Sequence, residues 1–176
     1  PRIALIDYNN RELDDSVAVA DALKGKLYAV RVDTCGENIA QGALISPRCE
    51  EAEAWKAQGI ILPPEDSPEA RFWYGTGVTV TGVYALRRAL DQFGHKDVKI
   101  ILTSGFGDPA KVQAFVDAEK TLGVKLFDAL GVGGIYKPCR MATMDVVAVG
   151  ETEDTMIPIS KVGRPYNPNP RLIRVV

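Results

Sequence analysis

Four short apolar runs, each closed by a polar or glycine-rich cluster, constrain this chain more than any other feature. They span residues 3–7 (Ile-Ala-Leu-Ile-Asp), 27–33 (Leu-Tyr-Ala-Val-Arg-Val-Asp), 98–105 (Val-Lys-Ile-Ile-Leu-Thr-Ser-Gly) and 127–134 (Phe-Asp-Ala-Leu-Gly-Val-Gly-Gly). Short apolar runs bounded by turn signals read as buried strands, and helical periodicity between them makes the sheet parallel. In such folds ligands bind at the carboxyl ends of the strands. Here that rim would carry Asp7, Asp33, Arg31 and two glycine clusters. The set suits a phosphorylated ligand that bears hydroxyls.

The segments between the runs support a βα alternation. Over residues 9–24, Leu13, Val17, Ala20 and Leu23 fall on one helical face, with Asn9 or Asn10 as N-cap and Gly25 as the stop. A short helical pattern covers 50–58, and a proline-bearing loop runs from 59 to 77. Residues 78–93 read as an amphipathic helix with Val83, Leu86 and Leu90 inward and Arg87, Arg88 and Asp91 outward. Pro109 suits the first turn of the last helix, which should end near Gly123.

Beyond residue 137 the pattern changes. Residues 145–149 and 155–160 read as short strands, 162–170 hold three prolines, and 171–176 are extended. Such a tail should pack as antiparallel strands on another domain. The expected division is therefore 1–137, half of a (β/α) barrel, and 138–176, an extension that joins the other domain. A complete (β/α)8 barrel needs eight strands and about 250 residues. The rival arrangement is an open four-stranded sheet. A strand begins within two residues of Pro1, which reads as a chain that is part of something longer.

Composition excludes several classes. The 176 residues carry a formal charge of -2 with no basic stripe, which argues against nucleic acid as a partner. No run reaches the length of a membrane span. Cys35, Cys49 and Cys139 are too few for a disulfide framework and lack metal spacing, so the expected location is a reducing cytoplasm.

Each rim residue has a structural role to weigh against a functional one. Asp7 and Asp33 can cap the loops that follow them; together they can grip ribose hydroxyls or a hydrated Mg²⁺. Arg31 lies two residues before Asp33, so the two share a strand face and can form an ion pair or a phosphate and carboxylate clamp. Ser104, Gly105 and Gly107, with Gly133 and Gly134, form two glycine turns after the last two strands. Backbone N–H groups in such turns bind phosphate, and glycine permits the close approach. His95, the single histidine, falls in a turn before the third strand and reads as exposed and structural.

The run Val-Arg-Val-Asp-Thr-Cys-Gly-Glu (30–37) resembles the arginine–aspartate–serine–glycine strand end of nicotinate phosphoribosyltransferases. The segments 101–106 and 127–134 resemble the two following strand ends, and Ile-Ser-Lys-Val-Gly-Arg-Pro (159–165) that family's return into its other domain. The likeness spans almost the whole chain and would correspond to the C-terminal half of a full enzyme. Two positions depart from it: Cys35 is an extra residue between Thr34 and Gly36, and Gly134 stands where the family often has a hydroxyl residue.

The resemblance implies transfer of a phosphoribosyl group from phosphoribosyl pyrophosphate to nicotinate, giving nicotinate mononucleotide in the supply of NAD. It implies Asp7 and Asp33 on ribose hydroxyls and Mg²⁺. Arg31 and Thr34 would touch the base carboxylate or a phosphate, with Ser104, Gly105, Gly107, Gly133 and Gly134 on the 5′-phosphate. It further implies ATP as a stimulating co-substrate and a homodimer. The base pocket and most pyrophosphate contacts would lie in an N-terminal half that this sequence does not hold, leaving the chain alone inactive. Three alternatives stay open: a quinolinate or nicotinamide phosphoribosyltransferase, a flavin- or nucleotide-binding oxidoreductase barrel, and a non-catalytic phosphosugar-binding fragment.

Overall fold

A computed structural model of the chain describes residues 1–133, 146–162 and 170–171. Four parallel strands, β1 (Arg2–Leu5), β2 (Leu27–Val32), β3 (Lys99–Leu102) and β4 (Ala129–Leu130), lie side by side in chain order. Between them run α1 (Glu12–Leu23), α2 (Glu50–Ala57), α3 (Ala70–Trp73), α4 (Val80–Gln92) and α5 (Pro109–Leu122). Right-handed crossovers between strands in sequential order place the connecting helices on one face.

Register shows which face that is. Ala4 pairs with Val30, Val30 with Ile100, and Val32 with Leu102. These side chains meet Leu86, Leu90, Phe115 and Ala118 in one buried cluster. The opposite face begins with Leu5, Arg31, Ile101 and Ala129 in register. It is open: Ile3 and Leu5 are each about half exposed, at 52% and 51%. One face of the sheet is a core, and the other is apolar at its start and polar at its carboxyl end.

Local chemistry accounts for the helix ends. Asp108 caps α5 by accepting from the Ala110 N–H at 2.9 Å, Pro109 opens the first turn, and Gly123 ends it at φ 63°. Thr79 caps α4. The first helix begins later than its periodicity suggests, at Glu12, and ends with Lys24 itself left-handed just before Gly25. Glu12 is buried; it accepts from Thr34 Oγ1 at 2.8 Å and from the Gln41 N–H at 2.9 Å, which ties α1 to the end of β2.

Several expectations need correction. Arg87 does not point outward: it is buried, donates to the carbonyls of Val98 and His95 at 2.8 and 3.1 Å, and pairs with Asp91 at 2.8 Å. Its long stem follows the apolar face while the guanidinium caps the turn into β3. His95 is partly buried, its Nε2 2.9 Å from the Asp21 carboxylate. The 59–77 segment contains α3, whose Phe72 and Trp73 are buried with Tyr74 beside them.

In the tail, β5 (Ala148–Val149) and β6 (Ile157–Pro158) form an antiparallel pair around a 3-10 turn at Glu153–Thr155, shorter than the expected strands. The following residues return to the sheet: the Val162 N–H donates to the Tyr8 carbonyl at 2.9 Å, and Asn38 Nδ2 donates to the Val162 carbonyl at 2.9 Å. Gly134, Cys139 and the expected final extended segment from 172 lie outside the described residues. Among the described residues no helix is long and apolar enough to cross a membrane.

Candidate functional site

At the carboxyl ends of β2, β3 and β4 the open face of the sheet deepens into a cleft of about 530 Å³. Arg31, Asp33, Thr103, Ser104, Gly105, Gly131, Val132 and Gly133 line it. The period-2 alternation that puts Val30 and Val32 in the core turns Arg31 and Asp33 into the cleft. Arg31 Nη2 meets Asp33 Oδ2 at 2.7 Å, and Arg31 Nε lies 3.4 Å from Thr103 Oγ1. Both partners keep solvent access, 44% and 28% of their side-chain surface. An ion pair that open contributes at most about 1 kcal/mol to folding, so stability alone does not explain it.

The two glycine turns meet across the cleft mouth. Ser104 and Gly105 follow β3 in consecutive left-handed conformations, φ 72° and 84°. A Cβ on Gly107 would collide with the Gly133 carbonyl, and one on Gly131 with the Thr103 side chain. Backbone thus approaches backbone here because the side chains are absent, and the main chain becomes the wall of the cleft. Behind the first turn, Lys111 Nζ donates to the Ser104 carbonyl at 2.9 Å and stands 4.6 Å from the Phe106 ring centroid. Burial lowers the Lys111 ammonium from its usual 10.5 to about 8, with Asp108 opposing that shift.

Five of the nine anticipated site residues, Arg31, Asp33, Ser104, Gly105 and Gly133, converge here, and Gly107 abuts Gly133. Thr34 does not join them; it is buried on the other face, bonded to Glu12. Asp7 also stands apart from the cleft lining. Its side chain is fully buried and ion-paired with Lys161, whose ammonium also donates to the Asp33 carbonyl at 3.1 Å. The second Asp7 oxygen, Oδ1, is buried without a hydrogen-bond partner among the described residues. Gly134 is outside the described residues.

Sequence reading missed Thr103, Lys111 and Lys161. Thr103 was visible in principle, because it shares the strand-face alternation of the cleft wall. Lys161 was not, since it arrives from a segment 154 residues after its partner.

No family model matches the chain, and neither a curated protein nor a solved structure matches it. The chemistry of the cleft therefore rests on its own residues. Among the described residues no group of three or more His, Cys, Asp or Glu side chains could hold a metal ion. Mg²⁺ does not require such a cage when waters and substrate phosphates complete its shell. Asp33, partly open and on the cleft wall, fits that use; Asp7, sealed under Lys161, does not.

Proposed function

We propose that this chain carries the phosphoribosyl-binding part of a nicotinate phosphoribosyltransferase-like enzyme. The observation that supports it is the convergence of two glycine turns with the Arg31–Asp33 pair around one open cleft. Main-chain N–H groups of the Ser104–Gly105 turn and of Val132 and Gly133 bind the 5′-phosphate; the Gly131 N–H is spent on the Leu102 carbonyl at 2.8 Å. Asp33 accepts from ribose hydroxyls and keeps negative charge close to the sugar, where an oxocarbenium-like transition state gathers positive charge. Arg31, held in place by Asp33, meets the base carboxylate or a second phosphate. Catalysis of this kind is positioning and charge stabilisation without a protein nucleophile. Bound Mg²⁺ would offset the charge of the departing pyrophosphate, with Asp33 as its protein ligand.

In this reading the sheet is a segment of a (β/α) barrel, and its open face, with Ile3 and Leu5 half exposed, is a barrel interior. The remaining strands, the base pocket and the pyrophosphate contacts come from another part of the enzyme or from the second subunit of a homodimer.

Calorimetric titration with nicotinate mononucleotide, phosphoribosyl pyrophosphate and free nicotinate tests the proposal. The mononucleotide and the pyrophosphate should bind, free nicotinate should not, and the chain alone should show no turnover. Binding of neither phosphorylated compound would remove the functional reading. Turnover by a stable monomer would instead remove the division of the site between two parts.

A further inference from the structure

The cleft poses an electrostatic problem for an anion. Among the described residues its one lining cation, Arg31, is engaged by Asp33 at 2.7 Å, so the pair brings little net charge. Main-chain dipoles alone hold a phosphate weakly against water. A second cation stands on the other side of the first glycine turn. The Lys111 side chain folds back from the first turn of α5, and its ammonium donates to the Ser104 carbonyl at 2.9 Å. A Cβ built on Gly105 would lie 3.6 Å from that nitrogen, in ordinary contact, so the ammonium sits against the turn itself. The Phe106 ring, edge-on to Phe115 with ring centroids 5.1 Å apart, fixes the other side of the ammonium.

We propose that Lys111 is the positioning and charge-supplying residue of the anion site: it pins the Ser104–Gly105 turn from behind and makes anion affinity depend on its proton. The inference rests on the phosphate reading of the cleft and adds a regulator to it. The charged groups facing Lys111 are Asp108, the N-cap of its own helix, and Arg71 of α3, which Asp108 holds at 3.3 Å. Arg31 and Asp33 line the same cleft as the turn. Burial already lowers the Lys111 ammonium to about 8, so it changes charge at mildly alkaline pH, where an ordinary lysine does not. An anion at the turn favours the protonated form, and affinity must therefore fall as pH rises past about 8.

The test uses the 176-residue chain and sulfate, whose charge is constant over the pH range, with main-chain amide shifts of Gly105, Gly131 and Gly133 as readout. Parent protein should bind sulfate at pH 7 and lose roughly tenfold in affinity by pH 9.5, the scale expected for one unit charge at a protein surface. Lys111→Met should bind about tenfold more weakly at pH 7 with no pH dependence across that window. Lys111→Arg keeps a charge that does not titrate there and should remain flat and tight if the longer head is accommodated. Equal affinity and equal pH profile for parent and Lys111→Met would overturn the role of Lys111 while leaving the anion site standing. Lys111→Met and Lys111→Arg that both lose binding, with the pH slope of the parent absent, would reduce Lys111 to a prop for the turn. No amide shift in the parent at any pH would overturn both the site and its regulator.

Discussion

At the amino-terminal end of the sheet, Arg87 donates to two main-chain carbonyls, Asp128 accepts from the Ile100 N–H and from Lys125, and His95 meets Asp21. At the carboxyl end, Arg31 and Asp33 hold one another beside an open cleft whose walls are main chain. Both ends carry charge, and both have a hollow: the one between Arg87, Lys96, Lys99, Lys125 and Asp128 measures about 250 Å³. The difference lies in what the charges touch. Below, they close strand starts and turns; burial pushes the Asp128 carboxyl up, but its bonds to Lys125 and Ile100, together with the charges of Lys125 and Lys99, hold it below its usual carboxylate value. Above, Arg31 and Asp33 touch each other, and Lys111 and Lys161 donate to the Ser104 and Asp33 carbonyls beside the cleft. Charge that closes strand starts serves the fold, and charge gathered beside a glycine wall, whether in the Arg31–Asp33 pair or against the Ser104 turn, is available to a ligand.

Substitutions at the two ends should separate those roles. Arg87→Met strands two carbonyls and should lower stability by about 3 kcal/mol, with sulfate affinity in the upper cleft unchanged. Denaturant unfolding and amide titration on the same sample read both quantities. A loss of affinity alongside the loss of stability would mean that the two ends are coupled.

Gly107→Ala should lower stability less, by about 2 kcal/mol, because its methyl must push the Gly133 carbonyl away. Its larger effect should be on ligand: sulfate affinity falls more than about tenfold as the two turns separate. An unchanged affinity would show that the turns do not act together.

Asp33→Asn should change stability by less than about 1 kcal/mol, the scale of a half-open ion pair. Sulfate should bind as well or better, since a negative neighbour is gone. Ribose 5-phosphate should lose about tenfold of its advantage over sulfate, the value of hydrogen bonds from its hydroxyls to a carboxylate. If several degrees of melting temperature disappear while that advantage stays, Asp33 belongs to the fold.

The smallest effect concerns pH. In the folded chain Lys111 releases its proton near 8, and in the unfolded chain near the usual 10.5. Between those values the unfolded state binds more protons, so stability rises with pH there. The parent should therefore gain on Lys111→Met as pH climbs from about 8 to 10.5, and paired melts across that range would detect a slope of the wrong sign.

How much of this was legible depends on the range of the interaction. The βα alternation, Pro109 in the first turn of α5 and the Gly123 end follow from local periodicity and capping, and the structure has them. The Arg31 and Asp33 pairing followed from strand alternation. The same alternation argues against grouping Thr34 with Asp33, since adjacent strand residues face opposite ways, and Thr34 indeed lies in the core beside Glu12. Arg87 was misplaced because helical periodicity tracks the Cα position, while a long side chain can turn its head into the protein. Lys161 over Asp7 was beyond reach, because only the path of the tail across the rim brings those residues together.

The most direct measurement is a structure of the chain with ribose 5-phosphate. Its phosphate should lie within hydrogen-bond distance of the Gly105 and Gly133 main-chain N–H groups, with the ribose hydroxyls toward Asp33. A phosphate seated instead among Lys96, Lys99 and Lys125 at the other end of the sheet, with the upper cleft empty, would contradict the account.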